Sequence, residues 1–307
     1  SLNERKIEDS QHTVMTVPDY VRRVVTIGDS TADIMGAIGG DPYIVATDGS
    51  PYSGSTQVNG RVELTVDSIK SYEPDVVVAP DSTPPSLVSS LRAAGIPVFI
   101  YTKKDSFNDI ILATKTIGKI FKDEDPEREF IVSRRNVKKL VEPHEKDKKP
   151  VIALYNSSHG VYRSGIVRDM IEQVHGIDGA GNLVITESGK DINMLSDVWW
   201  YRDHKTTVDM NQSMGTKADL IRINPDVIFV PTRYIDKMPE HKQDVAAIMN
   251  DPDLQNVTAV KKSYVYPIHE MFVMSYSWKA FMAMEQMAKW LYGPSTYEGI
   301  IKYKSEP

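Results

Sequence analysis

The chain has 307 residues, which is long for a single core and suits two domains of about 100–200 residues each. Its formal charge of −6, with no block of basic residues, excludes a general nucleic-acid binder, and no apolar run approaches the roughly 18–20 residues that a membrane span requires. The lack of cysteine excludes disulfides, thiolate metal sites and Cys nucleophiles.

In chain order, residues 1–21 read as a polar tail or linker. They begin at Ser1 and contain no apolar h-region, which is compatible with a leader or anchor removed upstream. The run "RRVVTIGDS" (22–30) predicts a strand ending at a Gly-Asp-Ser turn. A short glycine-punctuated helix (32–40) and a strand (42–47) follow. A helix over 65–75 then leads through a Pro-Asp turn into the continuous apolar strand 76–79. "PPSLVSSLRAAG" (84–95) has Pro at the first helical turn and Gly past the last, and it precedes a strand over 96–101. The stretch 105–149 has helical spacing throughout, and a helix from Pro126 to Pro143 would be about 27 Å long.

The second half repeats the plan: a strand over 150–158, a helix over 165–176, a helix over 216–226, and strands at 227–231 and 262–268. Even the wording recurs, since "IKSYEPDVVVAP" (69–80) matches "LIRINPDVIFVP" (220–231). Alternating strands and helices predict α/β lobes with largely parallel sheets.

The order "PDVVVAP…LRAAGIPVFIY…SFNDIILATKTIGKIF…EREFIVSRRNVKKL", then "VIALYNSS…INPDVIFV…YVYPI…SYSWKAFMAMEQMAKWLYGP", resembles the substrate-binding proteins of ABC importers for haem, ferric siderophores and cobalamin. The resemblance implies two Rossmann-like lobes bridged by a single long α-helix, with the ligand cleft between the lobes. The expected boundaries are an N-terminal tail (1–21), an N-terminal lobe (22–124), an interlobe helix (125–145) and a C-terminal lobe (146–307). It also implies an extracytoplasmic location, periplasmic or lipid-anchored on the outer face of the cell membrane. The implied partners are an ABC permease and its ATPase. A monomer with no permanently bound cofactor is expected, its ligand an iron chelate, haem or a corrinoid. Members of that group present an acidic residue on each lobe for docking. The helix opening "TPPSLVSS" lacks one, and Glu240 is the second-lobe candidate.

Ligands of open α/β sheets bind beyond the carboxyl ends of the strands. Those loops nominate Ser30, Asp81 and Ser82, with Tyr52 from an inserted loop. In the second half, His159, Tyr162 and Arg163 combine a metal ligand, a stacking face and a carboxylate clamp, unless they are ordinary loop residues. "DVWWYRDHK" (197–205) contributes Trp199, Trp200 and Arg202, as cleft wall or as core. Arg233 and Tyr234 follow a strand directly. Met271 offers an adaptable apolar contact or a thioether near haem iron, against the competing reading of core packing.

A different class of function also fits "IGDST". Gly28-Asp29-Ser30 after a strand opens the GDS-type esterases, with Ser30 as nucleophile, although the Asp-x-x-His that would supply the base is missing from the last third. A binding protein for a smaller metal chelate or an oxyanion is a further alternative.

Overall fold

The computed structural model describes residues 3–48, 60–123, 125–182, 184–187, 190–193, 215–233 and 240–293. The chain forms two compact units: residues 1–132 with 274–281, and residues 133–273 with 282–307.

The first unit opens with a hairpin of β1 (Glu4–Glu8) and β2 (Val14–Pro18) where the sequence suggested a tail. The hairpin stays in place because Ile7 and Val17 are buried and because Asp9 in its turn is engaged on both oxygens. Oδ1 accepts the backbone N–H groups of Gln11 and Thr13, and Oδ2 accepts the Ile100 N–H at 3.0 Å. The turn therefore covers the open edge of strand 98–101, which would otherwise invite pairing with another chain.

Then come β3 (Val24–Thr26), α1 (Thr31–Gly36), β4 (Ile44–Thr47), α2 (Val66–Lys70), β5 (Val76–Pro80), α3 (Pro85–Ala93), β6 (Val98–Tyr101) and α4 (Phe107–Gly118). The strands form a sheet in the order β4-β3-β5-β6, parallel throughout. Every residue of β3, β5 and β6 is buried, as their unbroken apolar character requires.

The chain passes from the first unit to the second within α5 (Arg128–Val141), the element read as a helix over 126–143. The second unit contains β7 (Val151–Asn156), β8 (Gly160–Val161), α6 (Gly165–Gln173), β9 (Ile177–Asp178), the hairpin β10 (Val184–Glu187) and β11 (Lys190–Asn193), and α7 (Lys217–Ile223). β12 (Val227–Thr232), α8 (Glu240–Met249), α9 (Thr258–Lys261), β13 (Val265–His269) and α10 (Glu270–Val273) follow, and α11 (Trp278–Tyr292) begins in the first unit and continues from residue 282 in the second. The second unit's sheet runs β13-β12-β7-β8, with β9 also on β7; all pairs are parallel except β7 with β8.

The duplicated Pro-Asp phrase performs the same task in each unit. Asp75 Oδ2 accepts the N–H groups of Arg22 and Arg23 at 2.8 and 2.9 Å, and Asp226 Oδ2 accepts the Val151 N–H at 2.8 Å. Each carboxylate thus fixes the start of the strand beside its own. Two residues earlier, Glu73 and Asn224 both adopt left-handed backbone, at φ 47° and 46°, which ends the preceding helix and turns the chain into the Pro.

Residues 274–281 pack within the first unit, although the sequence placed them in the second lobe. The physical reason is Asp33, 7% exposed on α1. Its carboxylate accepts Ser275 Oγ and Lys279 Nζ, each at 2.7 Å, and its carbonyl accepts Trp278 Nε1 at 3.0 Å. Buried carboxylates need such partners.

Candidate ligand-binding site

In the second unit the carboxyl ends of β7, β12 and β13 surround a recess of about 200 Å³. Its lining includes Asn156, Ser158, His159, Arg233, Asp244 and Glu270. The loop that carries His159 is a tight reversal from β7 into β8, with Asn156 opposite Gly160. Gly160 has φ +83°, and a Cβ there would lie 2.1 Å from the Gly215 carbonyl oxygen, so only glycine closes this turn. Asn156 braces the loop from inside. Its Oδ1 accepts the His159 N–H at 2.7 Å, and its Nδ2 donates to Tyr162 Oη at 2.9 Å and to the Pro231 carbonyl at 3.1 Å. His159 itself is exposed.

The opposite side of the recess carries charge. Arg233 directly follows β12, its side chain 62% exposed, and its Nε lies 3.6 Å from Oε2 of Glu270, whose side chain is 4% exposed. Asp244 on α8 accepts the Thr232 hydroxyl at the end of β12. The recess therefore sets two carboxylates against one guanidinium.

The carboxyl end of the first unit's sheet is also rich in carboxylates. Gly28, at φ +104°, donates its N–H to Asp48 Oδ2 at 2.9 Å, and Asp81 Oδ1 accepts the Lys103 N–H at 3.2 Å. Tyr101, the last residue of β6, shares a 2.8 Å hydrogen bond with Thr31 Oγ1. Burial pushes its phenol well above the usual range; the Thr31 bond lowers it, and the nearby Asp81, Asp29 and Asp48 carboxylates raise it further. Asp81 and Ser82 are both exposed here.

Of the residues nominated from sequence, the structure brings His159 and Arg233 together in one recess. Arg163 is half-buried just past β8 and Met271 half-buried on α10; neither lines the recess. Two nominations are corrected. Tyr162 is 1% exposed, so its ring is no stacking wall; it lies under the His159 loop, where its hydroxyl accepts from Asn156. Ser30 is also 1% exposed, and its Oγ accepts the Tyr276 N–H at 2.8 Å, which leaves a buried structural hydroxyl where an esterase would need an accessible nucleophile. Tyr52, Trp199, Trp200, Arg202 and Tyr234 lie outside the described residues. Glu270 and Asp244 were missed. Glu270 is the residue before the nominated Met271 and opens α10. Asp244 sits within a helix, with no local signal. Among the described residues no group of three or more His, Asp or Glu side chains is arranged to hold a metal ion, and none of their helices is long and apolar enough to cross a membrane.

No family model matches the chain. A cobalamin-binding protein of Halobacterium salinarum is 30% identical over 119 residues, a match spanning 36% of this chain and 32% of that relative. Among solved structures, a periplasmic binding protein of Veillonella parvula is similar with a TM-score of 0.64 at 17% identity, covering 95% of this chain and 98% of that one. The haem-binding protein HmuT is similar with a TM-score of 0.63 at 16% identity, covering 94% and 90% of the two chains. The chain has the α/β fold of the periplasmic binding proteins, with largely parallel sheets in both of its units.

Proposed function

We propose that this protein captures a bulky metal-bearing ligand, a ferric siderophore, haem or cobalamin, outside the cytoplasm and delivers it to the permease of an ABC importer. One observation carries the reading: the recess at the carboxyl ends of β7, β12 and β13 joins a histidine and an arginine from loops 74 residues apart, at the position where open α/β sheets bind ligands. At about 200 Å³ the recess suits one edge of a large ligand better than a whole macrocycle. Tyr52, Trp199, Trp200, Arg202 and Tyr234, as aromatic and cationic groups, and Asp81, Ser82, Arg163 and Met271 are the further candidate contacts. His159 is the candidate for direct ligation of an incoming metal. The protein acts as a monomer without covalent chemistry or a resident cofactor, is periplasmic or lipid-anchored on the outer face of the cell membrane, and uses Glu240 in docking to the permease.

The test is to titrate haemin, ferric siderophores and cyanocobalamin into the purified protein while following tryptophan fluorescence and visible spectra. Saturable quenching at sub-micromolar ligand by at least one of them is expected. Silence across the panel would refute this assignment.

A further inference from the structure

The recess that the proposed function uses has a charge arrangement at odds with an anion clamp. A carboxylate-bearing ligand such as haem wants a free guanidinium. Here the exposed Arg233 faces Glu270 at 3.6 Å, and Glu270 is nearly sealed from solvent. An anion that draws Arg233 away gives up this pairing with Glu270, which is a cost on the protein's side. Asp244 adds a second negative group to the same lining. An incoming carboxylate would therefore approach two like charges and compete for a guanidinium already engaged. A neutral group that donates hydrogen bonds, such as a carboxamide, meets the opposite situation: Asp244, Glu270 and the carbonyls at the strand ends are acceptors. The carboxyl-end face of the first unit has the same bias, with Asp29, Asp48 and Asp81 close to the Tyr101 hydroxyl.

We propose that Glu270 determines ligand specificity: by engaging Arg233 it makes the recess select a ligand whose edge is neutral and amide-bearing, such as the rim of a corrinoid, and reject one edged by free carboxylates. This selection works by an unfavourable charge placed against the wrong ligand as much as by contacts to the right one. The inference rests on the binding function proposed above.

The test compares cyanocobalamin, which presents neutral carboxamides, with haemin, which presents two propionates, by fluorescence titration of the native protein, Glu270→Gln, Arg233→Ala and the double variant. The native protein is expected to bind cyanocobalamin more tightly than haemin. Glu270→Gln, which keeps an acceptor oxygen, should tighten haemin binding about tenfold, the scale of relieving one like charge in a partly desolvated site, and leave cyanocobalamin within about threefold. Arg233→Ala should weaken haemin binding in both backgrounds, and in the Glu270→Gln background it should cancel the gain, because it removes the cation that Glu270→Gln leaves open to the ligand. If Glu270→Gln prevents folding, the order of cyanocobalamin over haemin in the native protein still tests the inference. Haemin binding that is tighter than cyanocobalamin binding, or that Glu270→Gln leaves unchanged, would overturn this inference and leave the binding function standing. Failure of both probes to bind the native protein would overturn this inference, and the binding function with it only if the ferric siderophores are silent too.

Discussion

At the scale of single residues, the two copies of the Pro-Asp phrase form an experiment already written into the chain. Both need a residue in left-handed backbone two positions before the Asp, and the copies solve this differently, with Glu73 in one and Asn224 in the other. Asparagine tolerates this region far better than a long side chain with a Cγ methylene does. Asn224 adds a second benefit, because its Oδ1 accepts the Thr258 N–H at 2.8 Å. Glu73→Asn should therefore stabilise the protein by about 0.5 kcal/mol, seen as a higher urea midpoint with an unchanged slope. A lower midpoint would mean that the Glu73 side chain makes a compensating contact. The same scale explains why the site was only partly legible. His159 and Arg233 are visible in sequence because each directly follows an apolar strand. Tyr162 misled because it follows the two-residue β8 and is buried next to the equally buried Val161, so no inward–outward alternation marks which side chain faces in. Glu270 is invisible as a site residue because its role depends on Arg233, 37 residues earlier.

Among elements, β9 carries an internal conflict. It adds a short parallel edge to β7 and ends at Asp178, which caps the following turn by accepting the Ala180 N–H at 3.1 Å. Burial raises the Asp178 pKa to about 6, against the pull of the Ala180 bond and of Arg168, while Glu172 pushes it further up. The folded value exceeds the ordinary 3.8, so the folded state holds this proton more tightly than the unfolded chain does. The associated stability is complete below about pH 4 and is lost as the pH rises through 6. Asp178→Asn keeps the capping oxygen without the charge. It should gain up to about 2 kcal/mol over the native protein at pH 8 and close to nothing at pH 4, measured by urea unfolding at both values. An equal difference at the two pH values would place the effect elsewhere. Strong elements such as β5 and β12 were readable from sequence because continuous apolar runs bounded by proline have few competing interpretations. The hairpin of β1 and β2 was not, since it is held by the clasp of Asp9 on Ile100, a contact between residues 91 positions apart.

For the whole molecule, the order of the chain and the order of the cores differ. Each unit has its own buried cluster, around β3, β5 and β6 in the first and around β7, β12 and β13 in the second. Yet the first unit is completed by residues 274–281, which lie more than 140 residues after its main segment ends. Within this short stretch Tyr276, Ala280 and Phe281 are buried, and the Phe281 ring meets Phe107 and Phe130 at centroid distances of 4.7 and 4.6 Å. A large side chain fully removed from water contributes about 1.5–3 kcal/mol, and breaking a buried ion pair such as Asp33–Lys279 costs about 3–5 kcal/mol. Those sums rival the roughly 5–15 kcal/mol total stability of an ordinary domain. A fragment of residues 1–132 should therefore retain helix and strand signals in far-ultraviolet circular dichroism but melt without a sharp transition. Adding an excess of a peptide covering residues 272–284 should restore cooperativity, while the same peptide with Lys279 and Phe281 changed to Ala should not. A sharp urea transition of the fragment alone, unmoved by either peptide, would show that the first unit closes its core without the distal segment. In that case Asp33 would have to find its partners nearer in the chain, and the network of Ser275, Trp278 and Lys279 would be a consequence of the fold and not one of its supports.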